Sequence, residues 1–176
     1  MITMPRMLLI GAATKDAGKT TLSCRIVRHF RDRGIVAVKA TIHRGEEAPA
    51  HYSVIREEEA HPEKDTGRLF AAGAAAVYWL RSDEHSIEKA LAELTTAVPE
   101  GTPLICESNT LRRFVKPGAF LFVRRRGSTD IKPTARIVLP LADLVAESFP
   151  GQDDLRYDPD ILPRLSFVNG KWSIAP

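Results

Sequence analysis

The feature that most narrows the folds open to this chain is a junction near its start. The apolar run Met7-Leu8-Leu9-Ile10 passes through Gly11-Ala12-Ala13-Thr14-Lys15-Asp16-Ala17 into Gly18-Lys19-Thr20-Thr21. Leu22, Ile26, Val27 and Phe30 then recur at helical spacing. A buried strand, a short glycine-bearing loop and an amphipathic helix follow one another here, and Thr20–Arg33 is predicted helical. Gly34 stops that helix and Ile35-Val36-Ala37-Val38-Lys39 reads as a second strand. The two strands and their helix therefore make a right-handed crossover, which places them parallel in one sheet.

Strand and helix signals keep alternating downstream. The polar segment from His43 to Lys64, with Glu57-Glu58-Glu59 inside it, shows no apolar period and reads as an irregular excursion. Helix resumes with Asp65-Thr66 as N-cap and runs to Gly73. Ala74–Leu80 reads as a strand, and Ser86–Ala97 as a helix with Ile87, Ala90, Leu91 and Leu94 on one face. Leu104-Ile105-Cys106-Glu107 and Ala119–Val123 read as buried strands, the latter after a turn at Lys116-Pro117-Gly118. Arg136–Leu139 is expected as a further strand and Leu141–Glu147 as a helix. Near the end, Leu165–Val168 and Lys171–Ile174 flank Asn169-Gly170, the pair suited to a hairpin turn with two positive φ values. The expected architecture is α/β: a mostly parallel sheet with helices on both faces and a small C-terminal β-hairpin. The expected organisation is a main domain over 1–148 and an extension over 149–176.

At the first junction, the backbone N–H groups of Asp16, Ala17, Gly18, Lys19 and Thr20 point into the loop, beside a helix N-terminus. Such a cradle attracts phosphate oxygens. The order strand, loop, Gly-Lys-Thr, helix is that of a P-loop, so a P-loop NTPase fold binding GTP or ATP with Mg2+ is the expectation. Lys19 is the catalytic candidate, reaching the β- and γ-phosphates, with Thr20 on the metal and Thr21 near the α-phosphate. Thr14, Lys15, Asp16, Ala17 and Gly18 complete the nucleotide-binding loop. Ala13 stands where the standard pattern has glycine, a position at which alanine tolerates positive φ poorly. A second acid at a strand end commonly holds the metal or its water. Glu107 and Asp65 are the candidates.

Composition limits the alternatives. With 176 residues, 44% of them hydrophobic, the chain has the size of one compact domain. No apolar run approaches the roughly 20 residues a spanning helix needs, so a cytoplasmic protein with no membrane partner is expected. Cys24 and Cys106 are too far apart in sequence to suggest a zinc site or a disulfide framework. The net charge of +3 makes nucleic acid an unlikely partner. Its distribution is uneven: Arg112, Arg113, Lys116, Arg124, Arg125, Arg126, Lys132 and Arg136 face only Asp130 in the segment Arg112–Arg136. That segment suits an acidic protein partner or a pterin phosphate, although a solvated, salt-bridged surface is the plainer reading.

Together, Gly18-Lys19-Thr20-Thr21-Leu22, the strand ending in Val38-Lys39, Lys64-Asp65-Thr66-Gly67-Arg68 running to Ala72-Gly73-Ala74, and the acid-tipped strand at Glu107 resemble a known family. They look like the MobB-type proteins of molybdopterin-guanine dinucleotide biosynthesis, and the likeness spans most of residues 7–145. The resemblance implies a P-loop domain of the class containing dethiobiotin synthetase and nickel-insertase GTPases, often a homodimer, that binds GTP with Mg2+ and assists the enzyme attaching GMP to molybdopterin. It implies that Lys19 and Thr20 serve phosphate and metal, that Asp65 and Arg68 line the nucleotide side, and that Glu107 is the Walker-B-type acid. Fold analogy adds Lys132 beside the nucleobase. Glu107-Ser108-Asn109 departs from the family's Glu-Gly. Two other functions fit the same loop: an ATP-dependent kinase or ligase for a small molecule, and a module that keeps the fold without turnover.

Overall fold

The computed structural model describes residues 1–43, 52–58, 61, 63–151 and 155–176. The first strand, β1 (Ile2–Ala12), leads to helix α1 (Lys19–His29), then β2 (Val36–His43) and the short β3 (Ser53–Arg56). Next come α2 (Asp65–Ala71), β4 (Ala76–Asp83), α3 (Ile87–Ala97), β5 (Leu104–Glu107) and β6 (Val115–Arg125). The C-terminal part holds α4 (Pro133–Val138), β7 (Leu144–Pro150), β8 (Leu155–Tyr157), α5 (Ile161–Arg164), β9 (Leu165–Val168) and β10 (Lys171–Ile174).

Eight strands form one sheet in the order β3-β4-β2-β5-β1-β6-β7-β8, and β9 and β10 form a separate hairpin. The interior pairs are parallel, while the edge strands β3 and β8 run antiparallel to β4 and β7. Central strands buried on both faces need apolar residues at consecutive positions. In β1, Met7 and Leu9 face one core cluster with α3 and α4, whereas Leu8 and Ile10 face the other with α1 and α2. Helices thus cover both faces, as the alternation of signals requires.

Several expectations change. The helix after Gly18 ends at His29 and gives way to a 3-10 turn over Arg31–Arg33, with Gly34 left-handed at φ +63°. The excursion from His43 to Lys64 contains β3, whose short edge pairing lacks an apolar period to announce it; much of the rest, including Glu59, lies outside the described residues. The turn expected at Lys116-Pro117-Gly118 lies inside β6, where the pairing with β1 shifts register between Met4 and Leu8. The order over 133–150 is the reverse of that expected: α4 takes in Arg136–Val138 and β7 takes in Leu144–Glu147. Pro133 opens α4 at its first turn, where a missing N–H costs nothing. In β7 the buried Ala146 and Ser148 alternate with more exposed neighbours, a period of two.

The hairpin forms as expected, with Asn169 at φ +51° and Gly170 at φ +71°. Trp172 of β10 is fully buried in the same cluster as α1, stacking edge-on against Phe30. Residue 148, where the main domain was expected to end, falls inside β7, and the tail packs on the sheet through Trp172 and Leu165. No helix among the described residues is long and apolar enough to cross a membrane.

Candidate functional site

Because β5 lies between β1 and β2, the C-terminal ends of the three strands meet: Ile10 and Lys39 both stand in register with Glu107. Ligands in open α/β sheets bind outside these carboxyl ends. The loop 13–18 rises from β1 at that edge and ends at Gly18, which takes φ +100° ahead of α1.

The entry to the loop is fixed by an amide. Asn109 accepts the Ala12 N–H at 2.7 Å and donates to the Ala12 carbonyl at 2.9 Å, closing a two-bond pairing with the backbone. This explains Gly11: a Cβ there would lie 2.8 Å from Asn109 Oδ1 and 3.0 Å from the Phe120 ring. Ala13 donates to the Val123 carbonyl at 2.8 Å and accepts the Lys132 N–H at 3.0 Å. Among the described non-glycine residues only Asn169 has a positive φ, so Ala13 sits in ordinary backbone geometry. The demand for glycine thus falls on Gly11 and Gly18, and alanine at 13 is accommodated without strain.

Glu107 forms the floor of the site and is 3% exposed. Its Oε2 accepts the Thr20 hydroxyl at 3.0 Å and lies 3.6 Å from Lys19 Nζ. Its Oε1 is buried without a hydrogen-bond partner among the described residues. A buried carboxylate oxygen left bare is costly, and it marks a place for a donor or cation. At the side, Lys39 Nζ pairs with Asp65 Oδ2 at 2.7 Å, and Arg68 Nη2 donates to Thr21 Oγ1 at 3.0 Å. Burial works to raise the Asp65 carboxyl, but the Lys39 ammonium, helped by the Thr20 hydroxyl and the Lys19 charge, holds it below its ordinary value. Lys132 is pushed down from its usual value by burial and by the charge of Lys19. Two ammonium groups near enough for one to lower the other favour an anion between them.

A cavity of about 280 Å³ is lined by Lys15, Asp16, Gly18, Lys19, Thr20, Thr21, Asp65 and Arg68, together with Arg125 and Leu155. The structure thus gathers most of the residues singled out from sequence. Thr14, Ala17, Glu107 and Lys132 do not line the cavity; Glu107 meets the lining residues Thr20 and Lys19, and Lys132 feels the Lys19 charge. Sequence reasoning missed Lys39 as the partner of Asp65, Asn109 as the entry pin, and the far-side residues Arg125, Ser148, Leu155 and Tyr157. Ser148 donates to the Ala17 carbonyl at 2.6 Å, Tyr157 to the Gly18 carbonyl, and Arg125 to the Asp16 carbonyl at 3.0 Å. Of these far-side residues only Arg125, within its arginine triplet, carried any sequence signal.

Several arginines of the basic segment are already paired within the chain. Arg113 pairs with Glu84, Arg124 and Arg126 pair with Glu147, and Arg112 and Arg136 donate to the Val115 and Ile131 carbonyls.

No family model matches the chain, and no curated protein does. Among solved structures, the chain is similar to the crystal structure of "apo" form LpxK from Aquifex aeolicus in complex with ATP, with TM-score 0.52 at 12% identity. The match covers 85% of this chain and 56% of that one, so the chain spans little more than half the length of the neighbour. The chain has the P-loop NTPase fold. At that identity the likeness speaks for architecture, and it agrees with the strand, loop and helix order read at Gly11–Thr21.

Proposed function

We propose that this chain binds a nucleoside triphosphate as its Mg2+ complex at residues 14–21 and hydrolyses it slowly. The observation that carries the reading is the convergence of Lys19 and Thr20 on buried Glu107 beneath the 280 Å³ cavity. Loop N–H groups would take the phosphate oxygens, Lys19 the β,γ-phosphates, and Thr21 the α-phosphate. ATP in the LpxK structure supports a triphosphate in a fold of this kind. Lys132 would border the base.

The donors present fit magnesium. Thr20, Glu107 and Asp65 offer hard oxygens, and the bare Glu107 Oε1 is an acceptor awaiting a partner. Among the described residues no cluster of three or more His, Cys, Asp or Glu could hold a metal alone, so phosphate oxygens and water would complete the shell. Bound there, magnesium would neutralise charge on the β- and γ-phosphates. Slow turnover accords with the arginines: Arg68 is tied to Thr21 and Arg125 to the Asp16 carbonyl, and among the described residues no glutamine lines the cavity to orient water.

Titration with fluorescent GTP and ATP analogues, with and without Mg2+, tests this reading. Removing a charge-assisted contact costs about 1.5–3 kcal/mol, so Lys19→Ala should weaken binding roughly 10- to 150-fold. Binding unaffected by Lys19→Ala would refute the site.

The MobB-like adaptor reading, with a homodimer and a pterin phosphate or acidic partner at Arg112–Arg136, is supported by the order of sequence motifs. It calls for a preference for the GTP analogue over ATP in that titration. One observation favours an ATP-dependent kinase instead. A second cavity of about 430 Å³, lined by Lys39, Glu57, Glu63, Lys64, Asp65, Thr66 and Trp79, shares Asp65 with the phosphate cavity. An acceptor hydroxyl there would stand beside a carboxylate kept ionised by Lys39. ATP-dependent transfer of labelled γ-phosphate to a small molecule from cell extract would favour this reading over the adaptor.

A further inference from the structure

Three carbonyls of the phosphate loop are held by an in-register row of side chains, of which Arg125 also lines the phosphate cavity. Arg125 on β6 stands opposite Ser148 on β7, and Ser148 stands opposite Tyr157 on β8. Side chains directly opposite in a sheet share a face. Here that row meets successive loop residues one for one. Arg125 donates to the Asp16 carbonyl at 3.0 and 3.3 Å, Ser148 to the Ala17 carbonyl at 2.6 Å, and Tyr157 to the Gly18 carbonyl. Ser148 is fully buried, and Gly18 O also accepts the Leu22 N–H of α1 at 3.0 Å.

Peptide planarity turns these contacts into a functional device. In a trans peptide the carbonyl and the next N–H point to opposite sides. Drawing the carbonyls of residues 17 and 18 toward Ser148 and Tyr157, which do not line the cavity, therefore turns the N–H groups of Gly18 and Lys19 to the opposite side, toward it. Those are the donors an anion needs, and donors oriented before a ligand arrives spend no ordering entropy on binding. We propose that Ser148 and Tyr157 are positioning residues that pre-set the phosphate loop from its outer side, making the C-terminal strand β8 a working part of the site. Gly18 fits this brace twice over. Its φ suits glycine, and a Cβ there would overlap the Tyr157 hydroxyl and lie 2.7 Å from Leu155 Cδ1.

The proposal rests on the reading of the loop as a phosphate site, and its test has a readout that stands without any ligand. Amide hydrogen exchange in the ligand-free full chain should speed up in Tyr157→Phe at Ala17, Gly18 and Lys19, while Met7–Ile10 stays protected. Ser148→Ala should do the same around Ala17 and Gly18. Inorganic tripolyphosphate, which has no base to read, should bind Tyr157→Phe about two- to twelvefold more weakly than the parent, the range for one net hydrogen bond. Trp172→Phe is the control: it perturbs a buried side chain far from the loop and should lower the unfolding midpoint without changing tripolyphosphate affinity. Unchanged loop exchange in both Tyr157→Phe and Ser148→Ala would overturn the brace, as would affinity losses no larger than that of Trp172→Phe. A parent chain that binds neither tripolyphosphate nor nucleotide would instead count against the proposed function, with loop exchange still deciding the brace.

Discussion

Gly18→Ala offers a sharp test of the loop, because Gly34→Ala supplies an internal control. Both glycines adopt positive φ, +100° and +63°, and an L-residue in left-handed backbone costs about 1–2 kcal/mol. At Gly34 a Cβ would meet nothing within 4 Å, so backbone strain is the whole cost. At Gly18 it would overlap the Tyr157 hydroxyl and crowd Leu155 Cδ1 at 2.7 Å. Relief requires β8 to move off the loop, giving up the Tyr157 hydrogen bond, worth about 0.5–1.5 kcal/mol net, and part of the Leu155 contact. The expected destabilisation is about 2–4 kcal/mol for Gly18→Ala against about 1–2 for Gly34→Ala. Urea unfolding followed by circular dichroism measures both midpoints, with slopes compared to confirm that the native state is unchanged. Since the clash is partly with the hydroxyl, Tyr157→Phe should recover part of the Gly18→Ala loss in a double-mutant cycle. Equal losses at the two glycines, with no coupling to Tyr157, would refute the account of why residue 18 is glycine.

Three further outcomes follow from the side chains. Lys39→Met removes the cation holding Asp65 low; because a lowered carboxyl stabilises the fold above its unfolded value of about 3.9 and loses that effect as the pH falls through the lowered one, the parent should hold out to more acid pH than Lys39→Met in acid titrations. Lys132 is pushed down by burial and by Lys19, so it loses its proton earlier than an ordinary lysine on the alkaline side; a polyanion would pull that proton back, so triphosphate affinity should fall as pH rises there, and calorimetry in buffers of different ionisation enthalpy should find proton uptake in the parent and less in Lys132→Arg. Trp172→Ala should cost about 3–5 kcal/mol, with the hairpin and sheet unfolding in one transition; separate transitions by fluorescence and circular dichroism would mark an independent tail.

Much of the fold was legible because its signals are local. The junction at Gly11–Thr21, the helix over 87–97 and the Asn169-Gly170 turn each declare themselves through periodicity or through a backbone angle few residues tolerate. The segment over 133–150 misled because short apolar runs serve helix and strand alike, and only the sheet's demand for a strand beside β6 settles which. In the site, Lys19 and Thr20 could be singled out because a P-loop fixes residue types at set spacing, and Glu107 because an acid ends an apolar strand. Asn109 stood in view as a departure after Glu107, but its grip on Ala12 spans 97 positions.

By itself, then, the sequence determined the residue types on the near side of the loop: a lysine and two threonines placed by short-range spacing, and an acid ending an apolar strand that only the β1–β5 pairing brings beneath them. Tertiary structure alone decided the far side. Arg125, Ser148 and Tyr157 become a row only when β6, β7 and β8 pair in register, and they reach loop carbonyls as far as 139 positions away. Strand register is set by burial and pairing across the whole sheet, so no window of sequence could show which hydroxyl would stand behind which carbonyl.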